Sequence, residues 1–241
     1  MTTQRVAVIV GASGGVGAGL VAGYRRKGWA VVASGRTITS ALDPELLAVT
    51  GDITGSAAAG EVVDTALERF GRIDTLVNNA GVVIAKPFTD YTAADFDTAV
   101  GAAFTGFFWL TKRVIAEMAV RYGGHVVNVS AAVTYASGAG IPAGLTALTR
   151  GGLAAATRSL AVEYASRGIR VNAVSPGIIQ TPVHLGDGTG DPGGWFPPLG
   201  RVGQVSDIVD GVLFLEASPY ITGEILHIDG GQVAGHNEPI G

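Results

Sequence analysis

The sequence predicts an α/β fold in which one doubly wound parallel sheet is covered by helices on both faces. Three observations point to it. Short apolar runs rich in β-branched residues alternate with longer helical stretches along the 241 residues. These runs are apolar throughout, as in strands buried on both faces of a parallel sheet. No linker or shift in composition divides the chain, so we expect a single domain over residues 1–241.

The predicted elements follow one another in a regular order. The apolar runs are, from the amino terminus, RVAVIV, AVVAS, IDTLVNN, HVVNVS, IRVNAVS and EILHID. The helical stretches between them cover 16–27, 56–70, 92–120 and 145–167. Parallel strands need crossover connections, and these are right-handed, so each helix is expected to cover one face of the sheet between two strands.

Composition narrows the class of function. Hydrophobic residues make up 47% of the chain and charged residues 15%, with a net charge of −4 and no lysine- or arginine-rich stripe. This balance argues against a nucleic-acid partner. Cysteine is absent, which excludes disulfides and thiol catalysis. The histidines show no spacing with carboxylates that indicates a metal, and no leader or membrane-spanning run is recognisable. We therefore expect a soluble cytoplasmic protein that acts on a small molecule.

A glycine-rich turn, in VIVGASGGVGAGL, follows the first apolar run. Glycines permit a tight turn and a close backbone approach to a ligand, and the following helix presents its positive end to phosphate. The position of the turn after the first strand favours dinucleotide binding over a purely structural turn. The residues expected to bind the cofactor here are Gly11, Ser13, Gly14, Gly15, Val16 and Gly17.

The end of the second run indicates which nicotinamide cofactor is used. An acidic side chain at this point holds the ribose 2′-hydroxyl of NAD, whereas an arginine holds the 2′-phosphate of NADP. The stretch VVASGRT offers Ser34 and Arg36, and no acid occurs before Asp43. Because a guanidinium donates two charge-assisted hydrogen bonds to a phosphate, we expect NADP(H) in preference to NAD(H). The alternative is that Arg36 is only a solvated surface charge.

Six motifs in a fixed order give the chain a family resemblance. They are GASGGVG, GDIT (51–54), NNAG (78–81), SPGIIQT (175–181), PLGRVGQVSDI (198–208) and ITGEILHIDGG (221–231). With them the chain resembles the short-chain dehydrogenase/reductase family over nearly its whole length. The resemblance implies a Rossmann fold with NAD(P), and a homo-oligomer, a tetramer or dimer, packed through the two long central helices. The further cofactor-binding residues that it implies are Asp52, Ile53, Asn79, Ala80, Gly81, Arg150, Pro176, Gly177, Ile179 and Thr181.

The chain departs from the family at the catalytic positions. The family uses an asparagine, a serine, and a tyrosine followed four residues later by a lysine. Alignment on the flanking motifs places these positions at Ala103, Ala131, Thr146 and Arg150. All four are changed, and the stretch between Ala131 and Thr146 is about two residues longer than usual. The ordinary carbonyl mechanism is therefore not expected.

The replacing side chains have a restricted chemistry. A threonine hydroxyl is far less acidic than a phenol, so Thr146 can donate a hydrogen bond but cannot supply the proton that the tyrosine supplies. Arg150 stays charged at physiological pH and cannot shuttle protons, although it can bind ribose hydroxyls or stabilise an oxyanion. Ser130 and Tyr135 are candidate substitutes, and Tyr135 has the alternative of packing the loop or a subunit interface.

A Gly- and Pro-rich segment over 181–201 interrupts the regular pattern. A loop of this length inside a compact domain is typical of a lid over a site, although a disordered surface excursion is the alternative. We expect His184, Trp195 and Phe196 in it to contact substrate, and the two aromatic side chains favour an apolar or aromatic one.

Three functions fit these observations. The first is an NADP-dependent oxidoreductase with a non-standard site, which reduces an imine, an iminium or an unusual carbonyl, because hydride transfer needs only the nicotinamide and a held substrate. The second is an NADP(H)-binding protein without catalysis. The third is a non-redox enzyme on the same scaffold, which the intact glycine turn and the missing tyrosine disfavour.

Overall fold

The computed structural model describes residues 4–39, 42–121, 123–135, 142–181 and 197–235. The strands within these ranges are β1 Val6–Val10, β2 Ala30–Gly35, β3 Leu46–Thr50, β4 Thr75–Asn78, β5 Gly124–Val129, β6 Ile169–Pro176 and β7 Ile225–Ile228. The α-helices are α1 Gly15–Arg26, α2 Ser56–Phe70, α3 Ala93–Val100, α4 Phe107–Arg121, α5 Gly144–Tyr164 and α6 Val205–Ala217.

All pairings in the sheet are parallel, and the strand order is β3-β2-β1-β4-β5-β6-β7. The order reverses between β1 and β4, where the chain stops adding strands on one side and begins on the other. Ligands of doubly wound sheets bind at this reversal, outside the carboxyl ends of the strands. The predicted fold class is confirmed.

Two apolar cores lie on opposite faces of the sheet, as expected for strands that are apolar on both sides. On one face α2, α4 and α5 cover the sheet, with Leu76, Leu110 and Met118 fully buried. On the other face α1 and α6 pack together, with Leu20 and Ile208 fully buried. The sheet therefore holds its carboxyl edge rigidly beneath any ligand.

The structure differs from the sequence prediction in three elements. The single helix expected over 92–120 is divided into α3 and α4 by a π-helical segment, Gly101–Gly106. Such segments are rare and occur frequently at functional sites. Strand β3 and helix α6 were not predicted. Strand β3 is the edge of the sheet and pairs only with β2, and most of its residues are only partly buried, which gives it a weak apolar pattern.

A buried polar cluster lies under the amino end of the sheet and attaches α1 and α6 to it. The Glu216 carboxylate accepts hydrogen bonds from Thr75 Oγ1 (2.8 Å) and Tyr24 OH (3.1 Å), and lies 3.1 Å from His125 Nδ1. Asn172 Nδ2 donates to His125 Nε2, and the orientation of this amide is fixed because its oxygen accepts from the Glu224 backbone N–H. The imidazole is therefore neutral and donates its Nδ1 proton to Glu216.

The environment of this cluster explains its pKa shifts. Burial lowers the pKa of His125, because the charged imidazolium would be poorly solvated, and this outweighs the attraction of Glu216. Burial alone would raise the pKa of Glu216, but the hydrogen bonds from His125, Thr75 and Tyr24 hold it below its ordinary value. Burial also raises the pKa of Tyr24.

Candidate active site

The glycine-rich turn joins β1 to α1 with its backbone open to a ligand. Helix α1 begins at Gly15, and its amino end has no side-chain cap, so backbone N–H groups there are available to an anion. Gly11 has φ +71°, and a β-carbon on it would lie 2.8 Å from the Ala80 nitrogen. A β-carbon on Gly17 would overlap the Gly11 carbonyl oxygen, whereas one on Gly14 would meet nothing within 4 Å. The turn fits a pyrophosphate group.

Two of the predicted cofactor segments converge on this turn. Asn79 Nδ2 donates to the Gly11 carbonyl oxygen at 2.9 Å and fastens the segment after β4 to the turn. Across the crevice, Thr181 Cγ2 would lie 3.3 Å from a β-carbon on Gly15. The segment after β6 is held in turn by the Gly177 N–H, which donates to the Ile228 carbonyl. The arrangement leaves a crevice at the reversal of strand order.

The end of β2 lies against the same turn. Ser13 Oγ accepts from the Thr37 N–H at 3.2 Å, and a β-carbon on Gly35 would overlap the Ser13 hydroxyl. Ser34 is buried, and its hydroxyl has no hydrogen-bond partner among the described residues. Arg36 is exposed and takes part in none of the ion pairs found in the described part of the chain.

The segment after β3 connects the cofactor side to the π-helical segment. Asp52 Oδ1 accepts from the Thr54 N–H at 3.0 Å, which turns the chain and leaves Asp52 exposed. Ile53 is buried in the core, and a β-carbon on Gly106 would lie 2.8 Å from its Cδ1. The glycine allows this close approach.

The Arg150 side chain is buried at the carboxyl ends of β4 and β5. Thr146 and Arg150 lie one turn apart on the face of α5 that covers the sheet, with exposed fractions of 2% and 6%. Arg150 Nη1 donates to the Val129 carbonyl oxygen at 2.7 Å. The guanidinium lies against Gly81, where a β-carbon would overlap Nη2, so any larger residue there would displace the Arg150 side chain.

The guanidinium of Arg150 has no acidic partner within the described ranges. Burial lowers its pKa to about 10, and no described carboxylate offsets that effect. Arg150 is still protonated at neutral pH. The site therefore contains a buried positive charge that the described residues leave uncompensated.

The other two predicted catalytic residues lie at different distances from Arg150. Ser130 follows β5, is buried, and its hydroxyl donates to the Arg150 carbonyl at 3.4 Å, a long hydrogen bond. Tyr135 lies over β6 and β7, packed on Ala154 and edge-to-face on His227 with ring centroids 4.8 Å apart. Arg150, in contrast, reaches toward β4 and β5.

The hydroxyl of Tyr135 has no hydrogen-bond partner among the described residues. Burial raises its pKa, an effect that the charge of Arg158 and the nearby Ser130 hydroxyl partly offset, although Ser130 falls short of hydrogen-bonding geometry. The phenol is therefore protonated at neutral pH and has a proton to donate. Its position is compatible with the packing role that the sequence left open.

Buried amides and hydroxyls fix the helices beneath the site. Asn78 Nδ2 donates to Thr111 Oγ1 at 3.1 Å and to Asn128 Oδ1 at 2.9 Å, and Asn128 Nδ2 donates to Thr157 Oγ1 at 2.8 Å. This ladder ties β4 and β5 to α4 and α5. The sequence analysis missed it, together with the Val129 carbonyl that holds Arg150.

The base of the predicted lid is closed by backbone pairing. Ile179 forms a parallel bridge with Gly203, and the Gln180 N–H donates to the Gly203 carbonyl at 2.8 Å. The substrate-contacting candidates His184, Trp195 and Phe196 lie outside the described residues. An open pocket of about 410 Å³ lies beside this junction, lined by Ile179 and by Asp207 of α6. Arg150 and Thr146 are not among its lining residues, so we assign the chemistry to the crevice.

Two further searches were negative within the described residues. No helix there is both long and apolar enough to cross a membrane. No group of three or more His, Asp or Glu side chains there could hold a metal ion.

The chain is similar to known proteins over nearly its whole length. A family model described as enoyl-(acyl carrier protein) reductase matches residues 11–232. A Streptomyces violaceoruber protein named as ketoacyl reductase 2 of the granaticin polyketide synthase is 36% identical over 248 residues, which cover 94% of this chain and 95% of that protein. The 3-oxoacyl-(acyl-carrier-protein) reductase of Thermotoga maritima is 31% identical over 246 residues, with 95% and 98% covered.

A solved structure has the same architecture. The structure of ElxO with NADP bound superposes with a TM-score of 0.87 at 26% identity and covers 97% of this chain and 100% of that chain.

Proposed function

The chain belongs to the short-chain dehydrogenase/reductase family and is an oxidoreductase, and from that premise we propose that it is NADP(H)-dependent and reduces a substrate that needs no proton from the protein. The observation that carries the proposal is that Thr146 and Arg150, which the flanking motifs align with the family's tyrosine and lysine, are buried one turn apart on α5. The Thr146 hydroxyl is far less acidic than a phenol, and Arg150 keeps its charge at neutral pH. A positioned general acid is worth roughly 10²- to 10⁴-fold in rate, so its loss favours a substrate that does without one.

A carbon–nitrogen double bond meets this requirement. An imine that has taken up a proton from water becomes an iminium, which accepts a hydride and leaves a neutral amine. When bound, the reduced nicotinamide supplies that hydride. The chain's own residues then have to bind and orient the substrate and exclude water. An unusual carbonyl remains open if Ser130 or Tyr135 supplies the proton.

The cofactor preference rests on the end of β2. Arg36 is exposed beside the glycine turn, and no acidic residue stands between it and Ser34. Relatives do not decide the matter, because ElxO was solved with NADP and a 3-ketoacyl-(acyl-carrier-protein) reductase of Brucella melitensis, 28% identical, with NADH. We assign the 2′-phosphate of NADP(H) to Arg36.

Self-association is the second part of the proposal. Phe108 on α4 and Leu148 and Val162 on α5 are large apolar side chains that the single chain leaves exposed. Large exposed apolar side chains gathered on one surface are typical of protein interfaces, and we infer that these three belong to one. A homodimer or homotetramer packed through α4 and α5 would cover them.

Cofactor titration tests the proposal. NADPH and NADH are added separately to the protein while nicotinamide fluorescence and the thermal midpoint are followed. We expect NADPH to bind more tightly than NADH. Arg36→Ala should weaken the affinity for NADPH by roughly 10-fold or more and leave the affinity for NADH unchanged, because only NADPH carries the 2′-phosphate. Binding of neither cofactor overturns the redox proposal. Binding without turnover of any imine or ketone favours the non-catalytic alternative.

A further inference from the structure

Arg150 carries a full positive charge, and none of the described residues places a negative charge beside it. Its guanidinium has five N–H groups, and one hydrogen bond, to the Val129 carbonyl, accounts for a single group. The two described contacts of the guanidinium, the Val129 carbonyl and Gly81, are both neutral. Buried charges in proteins are normally paired, because removing a charge from water is costly unless an opposite charge replaces the solvent.

The position of the charge shows where the compensating group comes from. Gly81, against which the guanidinium lies, is exposed and lies three residues after β4, at the carboxyl edge of the sheet where ligands of this fold bind. A planar fork of N–H groups matches a carboxylate, which can accept two parallel hydrogen bonds. The counter-charge of Arg150 therefore belongs to a ligand.

A simple iminium is the wrong ligand for this site. Its positive charge would lie beside that of Arg150 in surroundings where charges are weakly screened. An iminium that carries its own carboxylate reduces the conflict, because the carboxylate pairs with Arg150 and lies beside the iminium, so that the ligand adds no net charge to the site.

We infer that the substrate is a cyclic imino acid, with a carboxylate on the imine carbon held by Arg150. The inference rests on the proposed imine reduction and names its substrate class. The reaction balances without an acid from the protein: the imine carbon forms one new C–H bond with the hydride from NADPH. The π pair of the C=N bond becomes the lone pair of nitrogen, which keeps the proton it already had. The products are a cyclic amino acid and NADP⁺.

Matched substrates test the inference. Five- and six-membered cyclic imines carrying a carboxylate on the imine carbon are compared with the same rings carrying a methyl group or the methyl ester. NADPH oxidation is followed at saturating NADPH. We expect kcat/KM for the acids to exceed that for their uncharged counterparts by on the order of 100-fold.

Two variants separate charge from structure. Arg150→Gln removes the charge, whereas Arg150→Lys keeps it on a different side chain. We expect Arg150→Gln to lose the preference for acids and to turn over the methyl imines better relative to them, while Arg150→Lys keeps a preference for acids. If the role of Arg150 were purely structural, the Arg150→Gln substitution would lower kcat/KM for all substrates together. The ratio of kcat/KM between acids and methyl imines would then stay unchanged.

A binding measurement gives a second readout. Pyrrole carboxylate, a planar analogue that cannot be reduced, and its amide are added in the presence of NADP⁺. The acid is expected to raise the thermal midpoint of the parent chain but not that of Arg150→Gln. The amide is expected to raise the thermal midpoint of neither protein. Equal effects of acid and amide would overturn the inference.

The outcomes distinguish the inference from the function beneath it. Turnover of uncharged imines as fast as of the acids overturns the imino-acid inference and leaves imine reduction standing. No NADPH oxidation with any imine overturns both, and the analogue's binding then reports only whether Arg150 accepts a carboxylate.

Discussion

The two edges of the sheet each hold an arginine, but in opposite surroundings: Arg170 is partly buried and well paired, whereas Arg150 is buried with a single partner. At the amino edge, Arg170 donates to the carbonyls of Leu215, Glu216 and Ile221, and the charge of Glu216 lies close by. At the carboxyl edge, Arg150 has one carbonyl partner and no acid among the described residues. A polar group that its neighbours satisfy stabilises the fold, whereas one that they leave unsatisfied is available to a ligand. Stability and function are thus separated along the strands.

The largest effect is expected at the amino edge. Glu216→Ala removes the acceptor of three buried donors and should lower the free energy of unfolding by about 3 kcal/mol. Chemical denaturation measures the loss, and NADPH affinity should not change. Glu216→Gln, which keeps one acceptor oxygen, should lose less. If cofactor affinity fell in parallel with stability, the two edges would not be independent.

The next effect concerns the glycine turn. Gly17→Ala places a methyl group on the Gly11 carbonyl oxygen, so the turn has to shift, at a cost of about 1–3 kcal/mol, and NADPH binding should be severely weakened. Gly14→Ala is the matched control, since its backbone is extended and its added methyl meets nothing in the protein. Titration with NADPH compares the two. Equal loss in both variants would show that ligand contact, rather than the fold of the turn, decides binding.

The third effect is a change in the free energy of unfolding that has opposite signs at the two edges of the sheet. Arg150→Met removes an uncompensated charge without opening a large cavity, so the protein without ligand should become more stable by about 1 kcal/mol. Arg170→Met should be destabilised by a similar amount or more, because buried carbonyls lose their donor. Chemical denaturation of both variants without ligand measures the two changes in the free energy of unfolding. A loss of stability in Arg150→Met would contradict the expected contrast.

The smallest effect is a pH dependence from the amino edge. The folded pKa of His125 lies below its ordinary 6.5, so unfolding takes up a proton in acid. The contribution of His125 to the free energy of unfolding is complete above pH 6.5. It is lost as the pH falls from there toward the folded pKa. In that range the free energy of unfolding falls by about 1 kcal/mol for each pH unit. Glu216, with a folded pKa below 4.5, adds a further loss in stronger acid.

His125→Gln tests this dependence. Glutamine can donate to Glu216 and accept from Asn172 without titrating. The thermal midpoint of this variant should therefore vary less between pH 7 and pH 5 than that of the parent chain. Identical pH profiles would assign the loss to other groups.

The sequence predicted the elements that carry a strong local pattern and missed those that do not. Six of the strands are apolar runs, whereas β3 has weak burial at the sheet edge. The π-helical segment within 92–120 was also missed, since no proline marks it in the sequence. The glycine turn was readable because its spacing is local.

The environment of Arg150 was not readable from the sequence. The residue itself was identified, but its burial, its contact with Gly81 and the lack of a carboxylate partner depend on segments far apart in the chain. The same holds for the ladder of Asn78, Asn128 and Thr157. Local patterns predict which residues are present, whereas charge compensation is a property of the assembled fold.

The bridge between Ile179 and Gly203 has a consequence for changing the specificity of the enzyme. Because it holds the two ends of the intervening segment side by side, we expect the sheet to tolerate changes in that segment's length. The entropy of closing such a loop rises only slowly as residues are added. We therefore expect that the part of the stretch beyond Thr181 can be exchanged for a longer or shorter one as a cassette. Libraries built there would vary which molecules are admitted while the cofactor crevice and Arg150 stay constant.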